Sequence, residues 1–312
     1  MDLIQSCLTG PSYWWRLTFS ADSDFEETLV WKLEDLGIKR VAVQYSPQKP
    51  EERNFFVWLL DTDWPMTERE NLLLTLNQLE NSFGTSILNF AWDKIADEDW
   101  SKSWKQYWKP DPVGNNLLIL PAWLEVPDEH SDRILVRLDP GSAFGTGSHP
   151  TTRLCLEAIE KDPPLNLIVA DIGCGSGILS MAALGFGAEE VIAVDIDPLA
   201  VRSSLENARL NKKLSGNFGV FLGSVDVLKS ELKEKTVNVL LCNTLAPIIE
   251  ELAPSFDALI AQNGKAILSG VLVDQLPRLE KCLNSLGWES SSCFTKEQWA
   301  ALEIKRKMST FV

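Results

Sequence analysis

Histidine is nearly missing from this chain of 312 residues, with two in all. None of the six cysteines (Cys7, Cys155, Cys174, Cys242, Cys282, Cys293) stands in a C-x-x-C pair or beside a histidine at metal-ligand spacing. A zinc site and a disulfide framework are therefore both unsupported, no metal is expected, and scattered thiols fit a reducing compartment. Positive charge is short as well: 29 Lys and Arg face 44 Asp and Glu, a formal net charge of −15. Such a field repels phosphate backbones and anionic membrane surfaces, so neither direct nucleic-acid binding nor membrane association is expected. No stretch reaches the ~18 uninterrupted apolar residues of a spanning helix. The start, Met1-Asp2-Leu3-Ile4-Gln5, lacks the basic residues and apolar run of a secretory signal, and a cytoplasmic location is the expectation. With 45% hydrophobic and 23% charged residues the composition is that of a globular chain, and the length suits two domains.

The first hundred residues alternate short strands and helices. Tyr13 to Phe19, Arg40 to Tyr45, Phe55 to Leu60 and Ile87 to Trp92 read as strands, and a helix from Phe25 to Leu36 stops at Gly37. Thr67 and Glu70 have capping-box spacing ahead of Leu72, Leu73, Leu76 and Leu79, which recur at helical period. The order β-α-β-β-α-β predicts a smaller ferredoxin-like α+β domain over residues 1–94. Trp100, Trp104 and Trp108 fall at i, i+4, i+8, which predicts a linker helix within 95–115, its indoles forming a core stripe. Residues 116–312 form the second domain. From residue 150 onward, helices and near-continuous apolar strands such as Leu167-Ile168-Val169-Ala170 alternate strictly, as a doubly wound α/β sheet covered on both faces requires. Helices are predicted over 150–160, 176–184, 198–211, 246–261 and 273–286, with Trp288 to Phe294 and Trp299 to Lys305 as an antiparallel pair at the end. Residues 1–100 carry 8 Lys and Arg against 18 Asp and Glu, so two thirds of the net charge sits in the front third. A solvated surface explains that excess, and an acidic module also suits a basic protein partner.

The sharpest signal is Val169-Ala170-Asp171-Ile172-Gly173-Cys174-Gly175-Ser176-Gly177, a strand, a glycine-rich turn and a helix start, followed by Val191-Ile192-Ala193-Val194-Asp195. Glycines at a strand's end let the backbone approach a ligand closely, and an acid at the tip of the next strand accepts both ribose hydroxyls of a nucleoside. A dinucleotide fingerprint needs a small residue where this chain has Ile178, so nicotinamide and flavin are disfavoured.

The D-x-G-x-G-x-G form with Asp195 downstream resembles motif I of class I S-adenosylmethionine-dependent methyltransferases. Two further stretches, Leu138-Asp139-Pro140-Gly141-Ser142-Ala143-Phe144-Gly145-Thr146-Gly147-Ser148-His149-Pro150-Thr151-Thr152 and Asn238-Val239-Leu240-Leu241-Cys242-Asn243-Thr244-Leu245-Ala246, join Trp104-Lys105-Gln106-Tyr107-Trp108-Lys109-Pro110 in a closer match. Together they resemble the ribosomal protein L-11 methyltransferase family, from about Trp100 to the chain's end. The resemblance implies a seven-stranded Rossmann-like methyltransferase sheet, S-adenosyl-L-methionine as cofactor, and methyl transfer to lysine side-chain or N-terminal amino groups of the large-subunit ribosomal protein L-11. It also implies a front domain that recognises the substrate. By position it assigns Thr152, Gly173, Asp195 and Asn243 to the cofactor site. The chain departs from the family's usual N-I-L-A at Thr244, and from its common Ala at Cys242. A methyltransferase acting on another protein or on a small molecule is the second reading, and a monomer is expected.

Read without the resemblance, Thr152 serves as a helix-start residue after Pro150, and Asn243 as a cap for a helix beginning near Ala246. His149 is given no role, since a lone histidine beside a turn is more often a structural hydrogen-bonding group. No dedicated base is visible. The expected catalytic contribution is that Asn243 and the backbone carbonyls of Thr244 to Ala246 orient the acceptor amine.

Overall fold

The computed structural model describes residues 13–38, 40–46, 49–83, 86–96, 108–139, 147, 149–214 and 216–307. The chain divides into two compact units, residues 1–109 and 110–312.

The first unit runs β1 (Tyr13–Asp22), a 3-10 turn at Ser23–Phe25, α1 (Glu26–Asp35), β2 (Val41–Ser46), β3 (Lys49–Leu60), α2 (Met66–Phe83) and β4 (Ile87–Ala96). The sheet order is β2-β3-β1-β4 and every neighbouring pair is antiparallel, the ferredoxin-like arrangement expected from the element order. Alternate residues of β1 and β3 bury one face: Leu17 and Phe19 pack with Phe55, Val57 and Leu59 against Leu29 and Leu33 of α1 and Leu72 and Leu76 of α2. Phe19 and Phe55 stack with centroids 4.7 Å apart.

Two expectations change here. The second helix starts at Met66, and the Pro65 carbonyl accepts the Arg69 N–H at 3.1 Å, so Thr67 lies inside the first turn and is not the N-cap. The fixed φ of Pro65 begins the helix ahead of Thr67. The tryptophan helix falls on residues 97–107, which lie outside the described residues; Trp108 is described and belongs to neither helix nor strand. Strand occupies both ends of the 95–115 segment, because β4 reaches Ala96 and the next strand begins at Asp111.

The second unit opens with a small sheet of β5 (Asp111–Val113), β6 (Leu117–Pro121) and β7 (Ile134–Leu138) in that order. Then follow α3 (Pro150–Lys161), β8 (Ile168–Ile172), α4 (Ile178–Gly185), β9 (Glu190–Asp195), α5 (Pro198–Leu210), β10 (Asn217–Leu222), α6 (Val225–Leu232) and β11 (Val237–Asn243). The chain ends with α7 (Ala246–Leu252), a 3-10 turn, α8 (Phe256–Leu259), β12 (Ile260–Leu272), α9 (Leu276–Ser285), β13 (Trp288–Lys296) and β14 (Trp299–Arg306). The seven-stranded sheet has the order β10-β9-β8-β11-β12-β14-β13. Pairs from β10 to β12 are parallel, and β14 is antiparallel to both its neighbours, so the predicted terminal pair is present with its second strand inserted between β12 and the first.

Both faces of this sheet are covered. Val169, Val191, Val239 and Leu241 face the cluster that includes α3 and α4, while Ala170, Ile192, Leu240 and Leu268 face the one that includes α6, α7 and α9. That is why each strand reads as a continuous apolar run. The single helix predicted over 246–261 is broken: Pro254 lies in a 3-10 turn and strand begins at Ile260. Helix α6, not anticipated, is two turns long, too short for its Leu228 and Leu232 to stand out as a period.

Candidate functional site

In an open α/β sheet the crevice forms where successive strands leave in opposite directions from a central one, at their carboxyl ends. Here that strand is β8: the chain moves out through β9 to β10 and returns as β11 on the other side. Ile172 pairs with Val194 on β9 and with Cys242 on β11, so the next residues, Gly173, Asp195 and Asn243, end three adjacent strands in one row.

The glycine turn is held by its neighbours' backbone. The N–H groups of Gly173 and Cys174 donate to the Val194 carbonyl at 2.9 and 3.2 Å, and the Gly175 N–H donates to Asp195 Oδ2 at 2.9 Å. Gly173 has φ +72°, and a Cβ there would meet only open space, so the side-chain-free face looks out into the crevice. Gly177, at φ +77°, is required by packing, since a Cβ would come 2.8 Å from Ser204 Oγ. Asp195 Oδ1 accepts the Asp197 N–H at 2.9 Å, and Asp197 in turn caps α5 at Leu199, with Pro198 at the first helical position. Each Asp195 oxygen therefore keeps a lone pair for a ligand hydroxyl.

Thr152 and Asn243, 91 residues apart, meet: the Asn243 amide donates to Thr152 Oγ1 at 3.4 Å. Thr152 is buried in the first turn of α3. His149 caps that helix, its Nδ1 accepting the Thr151 N–H at 3.3 Å and lying 2.8 Å from Thr151 Oγ1, while its ring packs edge-on against Trp299. The histidine's place is structural, as its isolation suggested. On the other side, β12 bulges between Ser269 and Val271; Gly270, at φ +85°, lets the Thr244 carbonyl approach so closely that a Cβ would lie 2.3 Å from it. The Ser269 carbonyl accepts the Thr244 N–H at 3.0 Å, which fixes the turn after Asn243. Phe144, Gly145, Thr146 and Ser148 of the F-G-T-G-S-H stretch lie outside the described residues.

Asp171, the acid of the glycine motif, is 1% exposed on β8 and accepts the Ser180 hydroxyl at 2.6 Å through Oδ2. Its Oδ1 is buried and has no hydrogen-bond partner. Burial pushes its pKa from 3.8 to about 7, against the Ser180 hydrogen bond and helped by the nearby Asp195 charge. Burial likewise pushes the Cys155 thiol up to about 12 and the Cys174 and Cys242 thiols upward, so all three stay protonated and unreactive. A raised carboxylate pKa favours the folded state fully below pH 3.8, and the benefit is lost as pH rises through about 7. Asp171→Asn, which retains an acceptor for Ser180, is therefore expected to stabilise the ligand-free chain on the order of a few kcal/mol at pH 8 and hardly at all at pH 4. Thermal melts across that range check it; an equal gain at both pH values contradicts the assignment.

These features fit a nucleoside carrying positive charge and no phosphate. The open face of Gly173 is a cradle, Asp195 offers acceptors for ribose hydroxyls, and the orphaned Asp171 oxygen is suited to an ammonium or a water. Residues 162–201, which build the crevice floor, contain no Lys, Arg or His. Among the described residues no group of three or more His, Cys, Asp or Glu is placed to hold a metal, and no helix is long and apolar enough to cross a membrane.

What the residue pattern alone did not reveal is the buried polar support behind the glycine turn and β7. Ser204, Asn207 and Asn211, at i, i+3 and i+7 along α5 and its C-cap, are buried. Ser204 Oγ donates to the Gly175 carbonyl at 2.9 Å, Asn207 Nδ2 to the Ser176 carbonyl at 2.9 Å, and Asn211 Nδ2 to the Arg137 carbonyl at 2.7 Å. The one available signal was this spacing of small polar residues where an apolar stripe belongs.

Comparison with known proteins points the same way. The family model described as ribosomal protein L11 methyltransferase (PrmA) matches residues 13–307. A protein of Parasynechococcus marenigrum (strain WH8102) named ribosomal protein L11 methyltransferase is 55% identical over 284 residues, 91% of this chain and 98% of that one. A Prochlorococcus marinus (strain MIT 9303) protein of the same name is 53% identical over 294 residues, covering 94% and 97%. Among solved structures, the ribosomal protein L11 methylase of Lactobacillus delbrueckii subsp. bulgaricus matches with a TM-score of 0.59 at 32% identity, covering 64% of this chain and all of that one.

Proposed function

The chain belongs to the ribosomal protein L11 methyltransferase family, and from that premise we propose how its crevice works: it holds S-adenosylmethionine at Thr152, Gly173, Asp195 and Asn243 and directs methyl transfer to amino groups of ribosomal protein L11. The observation that carries this reading is the meeting of Asn243 with Thr152 at the carboxyl end of β11, in one row with Gly173 and Asp195.

When bound, S-adenosylmethionine supplies an electrophilic methyl group on a sulfonium. The protein's part is alignment, which in an in-line displacement is worth ~7 to 11 kcal/mol. Asp195 accepts the ribose hydroxyls with the lone pairs its two backbone partners leave free. Gly173 lets the main chain lie against the ligand. Asn243 donates one amide N–H to Thr152, which fixes the amide plane and leaves its side-chain oxygen to accept from the acceptor amine. The carbonyl of Thr244, fixed by the Gly270 bulge, is a second acceptor beside it. Two acceptors hold the amine's hydrogens and turn its lone pair outward. A lysine ammonium, with a pKa of ~10.4, gives its proton to water before attack, which no side chain of the row needs to take. The acidic front unit serves as the recognition surface for the basic substrate.

Transfer of a labelled methyl group from S-adenosylmethionine to purified L11 tests the reading. The parent chain transfers label. Asp195→Ala, which loses two charge-assisted acceptors, binds S-adenosylhomocysteine roughly 100-fold more weakly and transfers correspondingly less at subsaturating donor. Unchanged affinity in Asp195→Ala contradicts the placement of the ribose.

A further inference from the structure

We infer that Asn207 is a positioning residue for methyl transfer, through the hydrogen-bonded bridge it forms between Ser176 of the glycine turn and Asp139, where the D-P-G-S-A-F-G-T-G stretch toward Thr152 begins. The inference rests on the reading of the crevice as the S-adenosylmethionine site.

Asn207 is 1% exposed, and both ends of its amide are used: Nδ2 donates to the Ser176 carbonyl at 2.9 Å, and Oδ1 accepts the Asp139 N–H at 2.9 Å. Neither backbone group belongs to a strand ladder, for Asp139 follows β7 and Ser176 precedes α4. One planar amide therefore ties the glycine turn to the end of β7. An apolar residue here would take both hydrogen bonds away from the Ser176 carbonyl and the Asp139 N–H, which explains amide chemistry at a buried helical position. Asn211, one turn along, provides a built-in comparison. Its Oδ1 accepts the Arg137 N–H at 2.8 Å and its Nδ2 donates to the Arg137 carbonyl, so it holds β7 but not the glycine turn.

With the bridge cut, the glycine turn loses its tie to the end of β7, and a donor held against Gly173 loses its alignment. Loss of stability alone cannot produce that result in one variant and spare the other. The test is isothermal titration of full-length chain with S-adenosylhomocysteine, run with thermal melts and with donor KM and kcat measured on L11. Asn207→Ala is expected to weaken binding at least about tenfold and to lower kcat as well. Asn211→Ala is expected to lower the melting temperature comparably and to leave affinity within about twofold. Asn207→Asp keeps the volume and the acceptor for Asp139 but sets a carboxylate against the Ser176 carbonyl; it serves as the folded variant if the alanine variant does not fold, with the same loss expected. Parent-like affinity and kcat in either Asn207 variant overturns the bridge and spares the cofactor reading, as does equal loss in the Asn211 and Asn207 variants. A parent chain that binds no S-adenosylhomocysteine overturns both.

Discussion

Asn243→Ala is expected to lower the turnover of L11 methylation by roughly 10² while S-adenosylhomocysteine affinity stays within about threefold of the parent. The asymmetry follows from what the amide touches. Its N–H goes to Thr152 at 3.4 Å, a long hydrogen bond whose loss costs little, whereas its oxygen acts on the acceptor amine only as that amine attacks. The donor's ribose and backbone contacts lie one and two strands away, at Gly173 and Asp195, and are untouched. Single-turnover rates with saturating donor, set beside titration of the same variant, separate the two effects. A variant that methylates at the parent rate removes Asn243 from the mechanism; one whose affinity falls as far as its rate makes donor binding the whole of its part.

Removal of residues 1–109 is expected to abolish methylation of L11 while leaving S-adenosylhomocysteine binding in place. The second unit contains both halves of its own core, packed on the two faces of the seven-stranded sheet, and all four assigned site residues. The first unit has a separate core and holds two thirds of the chain's net negative charge in its first hundred residues. Attraction between that charge and a basic protein raises the rate of encounter and weakens with salt. The full-length chain should accordingly lose kcat/KM for L11 as ionic strength rises, with kcat far less affected. Parent-like methylation by the truncated chain assigns recognition to the second unit instead.

Much of this site was legible because its parts are local. Gly173 to Gly177 announce a turn that only glycine makes, and Asp195 and Asn243 end apolar runs whose length already marks parallel strands. The front unit's element order was equally plain, since each strand and helix carries its own period. What stayed hidden depends on contacts far apart in sequence. The meeting of Thr152 with Asn243 spans 91 residues, and the insertion of β14 between β12 and β13 is a choice of sheet partner that no local pattern encodes. Ser204, Asn207 and Asn211 were passed over because burying polar side chains inverts the hydrophobic rule; only the unpaired backbone of two turns makes amides and hydroxyls the better fit there. At Thr67 a capping-box spacing lost to a proline two residues earlier, and at Pro254 a helical period was overruled by the ring's missing donor.

The most direct test is the intact mass of purified ribosomal protein L11 before and after incubation with the full-length chain and S-adenosylmethionine. Discrete methyl-mass increments that require both chain and donor are the expected result. An unchanged mass under conditions where the chain binds S-adenosylhomocysteine would contradict L11 as the acceptor.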